Sequence, residues 1–583
     1  MLNSLLSRLV FLVLFLTCEY AVAEISTPIL KWQYGGCYSS WCETGWYSSP
    51  AVADLDGNGT AEVIGAAYTL FVLNGMDGSL KWSRDPDGSR VWPGVVVADL
   101  EGDGDLEIVT AHGGGYVNVF DHNGDIVWSK HPADSEFRSL AVADLEGDGD
   151  LEIAVGLARL DKVNIWVFEH TGVIRSGWPQ LSSDEGSAAG LYNDNIGIGD
   201  LDGDGESEIV VPSDTITICA YDPDGDHLAT NEMYHGHSGH DMDFWGEVPA
   251  YVILEYEIQG WGPCYTESTA RANFANGPAN IVDVDNDGTN EVVAIGDVHD
   301  CHTSPYTDLF NGPYILNADR SRFNASGYDW TEVPVDTGAP IIQDYNIIES
   351  VQPNPVTVDL DGDGRLEILY PSYDGKMHAF WLDKTEHHSW PYSVYNASEG
   401  VYRFASEPVV ADLDNDGFPE VIFTSWVEKE TDLTGNLFIL NYQGNLLQKV
   451  DLPFAYSGNW NGALAAPTLA DIDGDPDLEL VLNTAHSGFV AYDLPNTSNA
   501  RIIWGTGRGS YQRTGSNPTQ NDPISPEDLD RDGDVDTADV LLCIKVILGT
   551  ETDPDIVARA DVNGDGDVNI MDVLKIVQKI RSK

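Results

Sequence analysis

The sequence predicts an all-β chain, an eight-bladed β-propeller, with a small α-helical module at its C-terminus. Three observations carry that prediction: an acidic phrase that returns eight times, short β-branched runs around every copy, and two loop-and-helix units after residue 525. The copies read AVADLDGNGTAEVIG, VVADLEGDGDLEIVT, AVADLEGDGDLEIAV, GIGDLDGDGESEIVV, NIVDVDNDGTNEVVA, PVTVDLDGDGRLEIL, VVADLDNDGFPEVIF and TLADIDGDPDLELVL. Their leading aspartates stand 45 residues apart for the first two intervals and then between 53 and 83, as expected of one structural unit repeated with loop insertions.

Residues 1–23 come first. Arg8 precedes an apolar run from Leu9 to Leu16, and Ala21-Val22-Ala23 offers small residues where a signal peptidase reads, so cleavage is expected before Glu24 and the chain is expected to be exported. The run is far shorter than the roughly 20 residues a membrane span needs. In an exported chain, disulfides between Cys37 and Cys42 or between Cys264 and Cys301 are plausible, with connectivity left open.

Residues 24–515 hold the repeats. In each unit a short apolar strand ends at the aspartate, an acidic Gly-rich turn follows, and a β-branched run such as Glu62-Val63-Ile64 leaves it. Two more strand candidates come next, in the first unit Thr69 to Asn74 and Ser79 to Trp82 around the turn Gly75-Met76-Asp77-Gly78. Four-stranded meanders at this period are propeller blades, eight of them, with seven as the alternative. Trp82, Trp128, Trp178, Trp390 and Trp504 recur late in the units and read as packing anchors between neighbouring sheets, with sugar stacking as the minority reading.

The turns carry the chemistry. In D-x-[DNE]-x-[DN]-G-x-x-E, oxygens fall at positions 1, 3, 5 and 9, a backbone carbonyl is available at 7, and glycine at 6 permits the reversal. Hard oxygen donors so spaced suit Ca²⁺, which accepts six to eight of them. The side-chain ligands are expected to be Asp54, Asp56, Asn58 and Glu62; Asp99, Glu101, Asp103 and Glu107; Asp144, Glu146, Asp148 and Glu152; Asp200, Asp202, Asp204 and Glu208. The later four copies supply Asp283, Asp285, Asp287 and Glu291; Asp359, Asp361, Asp363 and Glu367; Asp412, Asp414, Asp416 and Glu420; and Asp471, Asp473, Asp475 and Glu479. Copies two and three place the longer Glu at position 3, which loosens the site, and copy eight has Pro476 at position 6, whose fixed φ excludes the left-handed turn and argues against occupancy there.

These units resemble the FG-GAP or VCBS repeats of integrin-α-like propellers, over about Ser49 to Gly515. The likeness implies a calcium-pinned propeller that binds ligands through its loops, and no reaction. Trp504 to Gly515 looks like the closing strand and tail of such propellers, and Ile29 to Gln33 resembles the same outer strand, so the two ends compete for closure.

The insertion between copies four and five holds His235, His237, His240 and Asp243, and the fifth unit adds Asp297, His299, Cys301 and His302. A polar surface loop is the favoured reading of these residues, and a transition-metal site the other. A polar, proline-containing linker, residues 516–525, then leads to residues 526–583. Two twelve-residue loops there follow the EF-hand ligand pattern: Asp528, Asp530, Asp532, Asp534, Asp536 and Asp539, then Asp561, Asn563, Asp565, Asp567, Asn569 and Asp572. Each loop runs into an apolar helix candidate, Val540 to Leu548 and Val573 to Ile580. The pair resembles a type I dockerin. That likeness implies a cohesin domain as partner, read through Thr537 and Ala538 and through Ile570 and Met571, while a free-standing calcium module is the alternative.

The composition agrees. The net charge of −66 argues against a nucleic-acid or anionic-membrane partner, and 45 of the 95 acidic residues fall in the proposed metal loops. The expected function is a secreted calcium-binding propeller that binds an extracellular protein or glycan and is tethered through its dockerin. The alternative is a polysaccharide lyase or glycoside hydrolase on the same scaffold, for which no nucleophile elbow or HExxH is present.

Overall fold

The computed structural model describes residues 25–36, 47–85, 87–158, 163–182, 189–236, 242–260, 270–299, 308–335, 351–455, 460–498, 500–516, 537–548 and 568–580, and single residues 342, 347, 529, 556, 560 and 562. The expected signal peptide, both proposed disulfides, and His237, His240 and His302 lie outside the described residues. Among the described residues no helix is long and apolar enough to cross a membrane.

Eight antiparallel blades form the propeller. Blade 1 comprises Ala51–Ala53, Glu62–Ala66, Leu70–Asn74 and Leu80–Arg84, in that order from the inside outwards. Blade 2 repeats it with Val96–Ala98, Glu107–Ala111, Val117–Phe120 and Ile126–Lys130. Blades 3 and 4 keep three strands each and reduce the fourth to single bridges, Phe168 to Ile174 and Tyr221 to His227. Blade 5 is enlarged by the insertion, whose strand Arg271–Asn273 pairs with the end of Glu291–His299. Blade 6 returns to four strands, and the four strands of blade 7 belong to a six-stranded sheet that also takes in Arg403–Ala405 and Arg501–Trp504.

One register recurs in all eight. The residue before the leading aspartate pairs with the motif glutamate: Ala53 with Glu62, Ala98 with Glu107, Ala143 with Glu152, Gly199 with Glu208, Val282 with Glu291, Val358 with Glu367, Ala411 with Glu420 and Ala470 with Glu479. Each acidic phrase is therefore the turn of the innermost hairpin. The second strand is buried along its length in blades 1 to 7, because neighbouring blades cover both of its faces, so it reads as a continuous apolar run. Outer strands such as Ile126–Lys130 are largely exposed.

Tryptophans bolt seven of the eight blades to the next, blade 7 being the exception among the described residues. The Trp32 indole donates to Gly75 O at 2.7 Å, Trp128 to His170 O at 2.7 Å, Trp178 to Pro223 O at 3.0 Å, Trp245 to Ala318 O at 3.0 Å, Trp330 to Leu382 O at 3.0 Å and Trp390 to Tyr442 O at 2.8 Å. Trp82 packs against Gly124 of blade 2 so closely that a Cβ there would lie 2.8 Å from the ring. Trp504 does not belong to this series. Its strand, Arg501–Trp504, lies against the innermost strand Val409–Asp412 of blade 7.

The competition between the two ends has a definite outcome. Ile29–Tyr34 pairs with Phe489–Leu494 and becomes the outermost strand of blade 8, so the chain's beginning completes its last blade. The tail instead runs up the axis. Inner-strand amides donate to it from blade 8 (Leu469 to Gly505 O, 2.8 Å), blade 2 (Val97 to Tyr511 O, 3.3 Å), blade 3 (Val142 to Gln512 O, 2.8 Å), blade 4 (Ile198 to Thr514 O, 3.0 Å) and blade 5 (Ile281 to Gly515 O, 3.2 Å). Inner strands expose N–H groups to the channel, and the tail supplies the acceptors that buried amides require. Buried Arg513 reaches the carbonyls of Val95, Ser49, Pro50 and Gly507 at 2.9–3.1 Å, and Arg508 bonds Asn280 Oδ1 at 2.7 Å. Burial pulls both guanidiniums down to about 10, with Glu407 and Asp194 opposing that shift.

The insertion folds around a second buried charge cluster. Glu257 accepts from Arg322 Nε at 3.1 Å, from Arg320 at 3.0 Å and from the Tyr234 hydroxyl at 2.8 Å, all fully buried. Burial alone would raise its pKa, but the two guanidiniums outweigh that and hold it below the usual range. In the C-terminal module, helices Thr537–Leu548 and Ile570–Ile580 share a small core of Leu529, Cys543, Ala560, Val562, Val573 and Ile576.

Candidate metal centre in the acidic turns

All eight turns share one hydrogen-bond scheme. The position-9 glutamate accepts from the position-2 amide, from Leu55 to Glu62 through Ile472 to Glu479, at 2.6–3.1 Å. The position-5 Oδ1 accepts from the position-7 amide at 2.8–3.0 Å, for Asn58, Asp103, Asp148, Asp204, Asp287, Asp363, Asp416 and Asp475. In seven copies the leading aspartate accepts from the position-6 glycine amide at 2.7–3.2 Å. In copy eight Pro476 has no N–H to give, yet Asp471 still accepts from Gly474 at 2.8 Å. Position 4 is left-handed in every copy, with Gly57, Gly102, Gly147, Gly203, Gly362 and Gly474 at φ 64–81° and Asn286 and Asn415 at 60° and 58°. The sequence pattern had assigned that geometry to position 6 alone.

In seven copies both oxygens of the first ligand, and in every copy one oxygen of the last, accept backbone amides that hold the loop, and the carboxylates still converge. Asp54, Asp56 and Glu62 place carboxylate oxygens within 4.8 Å of one another, as do Asp200, Asp202 and Glu208; Asp283, Asp285 and Glu291; and Asp359, Asp361 and Glu367. Positions 1, 3 and 9 meet, and position 5 stands outside these groups. In copy three the group is Glu146, Glu152 and Glu169, so Glu169 replaces Asp144. Glu169 follows the third strand of blade 3 and has no place in the repeat pattern, which is why sequence spacing misses it.

The electrostatics of the turns call for a cation. Burial first, then the surrounding carboxylates, push Glu107 and Glu208 up to about 7 and Glu291 and Glu420 up to about 8. Both side-chain oxygens of Asp285, and Oδ1 of Asp361 and of Asp414, are closed off without a hydrogen-bond partner. Buried anionic oxygens in that state are costly unless a cation meets them. An all-oxygen donor set with orphaned acceptors fits Ca²⁺.

The FG-GAP-like repeat family matches residues 99–155 and 359–423, and the type I dockerin domain family matches residues 526–581. The chain joins an FG-GAP-repeat propeller to a dockerin. In the dockerin, Asp539 accepts from the Leu529 amide at 2.6 Å and Asp572 from the Asn569 amide at 2.8 Å, and both side chains are fully buried. Asp528, Asp530, Asp532, Asp534, Asp536, Asp561, Asn563, Asp565 and Asp567 lie outside the described residues. Thr537 and Ala538 open the first helix. Ile570 and Met571 open the second and are 62% and 55% exposed.

No curated protein matches the chain. Among solved structures, the V. cholerae biofilm matrix protein Bap1 is 16% identical with a TM-score of 0.37, covering 82% of this chain and 94% of its own. BamB from Moraxella catarrhalis is 13% identical with a TM-score of 0.43, covering 79% and 99%. The Bacillus licheniformis rhamnogalacturonan lyase PL11 is 15% identical with a TM-score of 0.42, covering 81% and 76%. These values are too low to bear on function.

Proposed function

We propose that the protein is an extracellular, calcium-stabilised binding propeller tethered through its dockerin to a cohesin-bearing partner. The observation that carries the tether is the dockerin match at residues 526–581, with Ile570 and Met571 exposed at a helix start. Dockerin domains bind cohesins, so surface plasmon resonance of the full chain on immobilised cohesins, with and without Ca²⁺, tests it. Binding that needs Ca²⁺ and weakens in Ile570→Asp/Met571→Asp supports the tether, and a chain that binds none of a broad cohesin panel overturns it.

The ligand belongs on the face opposite the acidic turns, because the loops there carry aromatic and cationic side chains in an otherwise acidic chain. Arg138 stacks 4.0 Å from the Trp92 ring, Arg90 lies 5.0 Å from the same ring, and Tyr47 meets it edge-on at 5.2 Å. Tyr192 lies 5.8 Å from Arg138. Aromatic rings with guanidiniums suit a sugar or peptide that brings acceptor oxygens. Glycan and protein arrays probed with wild type and Trp92→Ala check this face, and turnover of any arrayed polysaccharide would replace the binding reading with the enzymatic one.

A further inference from the structure

In three of the eight acidic turns a basic side chain from outside the turn reaches both the position-3 and the position-9 carboxylates, whereas in blade 6 Arg365, at position 7, pairs only with the position-5 Asp363 at 2.8 Å. In blade 8, Lys31 Nζ contacts Asp473 and lies 3.0 Å from Glu479 Oε1, the position-3 and position-9 carboxylates. In blade 1, Lys81 Nζ makes the same two contacts, 3.1 Å to Asp56 Oδ2 and 2.6 Å to Glu62 Oε1. In blade 3, an Arg175 guanidinium nitrogen lies 2.6 Å from Glu146, 3.5 Å from Glu169 and 4.0 Å from Glu152. We propose that these side chains are built-in replacements for the metal, so that the turns of blades 1, 3 and 8 take no Ca²⁺ while those of blades 2, 4, 5, 6 and 7 do. The proposal rests on the reading of the turns as calcium sites.

The contrast between turns supports it. Position 3 is the carboxylate met by the lysine or arginine in those three blades, and in blades 5, 6 and 7 the same position holds the orphaned oxygens of Asp285, Asp361 and Asp414. An ammonium is compact and offers three donors, so it can bridge two carboxylates from the centre of the loop. The local sequence explains the choice of blade. Lys31 and Lys81 each precede an anchor tryptophan in the tripeptide Leu-Lys-Trp, and successive residues of a strand point to opposite faces. The register that seats Trp32 and Trp82 in the next blade therefore turns the lysine back to its own. In blade 2 the residue before Trp128 is Val127, which is 54% exposed and brings no charge.

The consequence lies at the seam. Blades 8 and 1 meet where the ring closes, and Lys31 sits on the closing strand itself. The turns on both sides of the seam thus each hold one built-in cation, so the ring closes on its own side chains and calcium strengthens the remaining blades.

The test counts ions. Full-length wild type, Lys81→Met, Arg175→Met and Lys31→Met are stripped with chelator, dialysed against saturating Ca²⁺, and assayed for bound calcium per chain by atomic emission. Each variant is expected to hold one ion more than wild type, because the freed carboxylates become a site. No gain in Lys81→Met and Arg175→Met, with wild type retaining more ions than the two loops of the dockerin can hold, overturns the proposal and leaves the calcium reading of the turns standing. Wild type holding no more than those two ions overturns the calcium reading of the turns itself. Should Lys31→Met fail to fold, the other two variants still decide.

Discussion

The Trp32 indole donates to the Gly75 carbonyl at 2.7 Å, and this hydrogen bond crosses the seam between the last blade and the first. Trp32 also covers Gly78, where a Cβ would lie 2.6 Å from the indole, so the closing strand is held by both packing and a polar contact. Trp32→Ala removes a buried ring from the one junction made by sequence-distant segments. It is expected to cost about 3–5 kcal/mol in urea unfolding. Phe454→Ala, at a residue 62% exposed, is the control and should stay within about 0.5 kcal/mol.

The axial tail makes the second prediction. Arg513→Lys keeps the charge but replaces five fork-like donors by three; the Ser49 and Pro50 carbonyls keep the Val95 amide and the Thr468 hydroxyl as donors, so it is the Val95 and Gly507 carbonyls that are left unmet. Each orphaned carbonyl costs about 1–3 kcal/mol, and a lowered urea midpoint at unchanged slope is the expected result.

Glu257 ties Arg320 and Arg322 together, and Glu257→Gln leaves two buried guanidiniums without their counter-charge. A loss of about 3–5 kcal/mol is expected. Because the folded-state pKa of Glu257 is depressed, its stabilisation is present above the unfolded value near 4.5 and is lost as pH falls below it. Wild type should therefore lose stability relative to Glu257→Gln between about pH 4.5 and the lower folded pKa, a difference that denaturation at pH 7 and in that acid range measures.

Calcium removal is expected to act on the turns. At free Ca²⁺ tenfold above Kd, each occupied site adds about 1.4 kcal/mol, so several sites rival a typical folding stability of about 5–15 kcal/mol. Excess chelator should lower the calorimetric Tm markedly. An unchanged melt would falsify a structural role for the ions.

Much of this was legible in the sequence because the relevant rules are local. The D-x-D-x-D-G-x-x-E spacing folds into a turn from its own side-chain-to-backbone bonds, as Asp54, Asn58 and Glu62 show, so one copy predicts the other seven. The outer tryptophans were legible in part. Trp82, Trp128, Trp178 and Trp390 follow the repeat, whereas Trp245 and Trp330 sit beyond insertions that break the period. Lys31, Lys81, Arg175 and Glu169 were missed because their partners lie on other strands, although the shared Leu-Lys-Trp offered a signal for the two lysines.

By itself the sequence determined the blade number, the innermost hairpins with their oxygen donors, and the paired dockerin loops, since each follows from spacings of a dozen residues or fewer repeated along the chain. Only the tertiary structure decided which end closes the ring, what fills its axis and which turns already hold a cation. Ile29–Tyr34 and Arg501–Trp504 are both short, apolar, tryptophan-bearing strands, and nothing in either segment alone ranks them. The choice comes from geometry: Trp32 finds the blade 1 turn at the rim, while two arginines and a glycine-rich backbone find the unmet carbonyls and amides that the inner strands turn toward one axis.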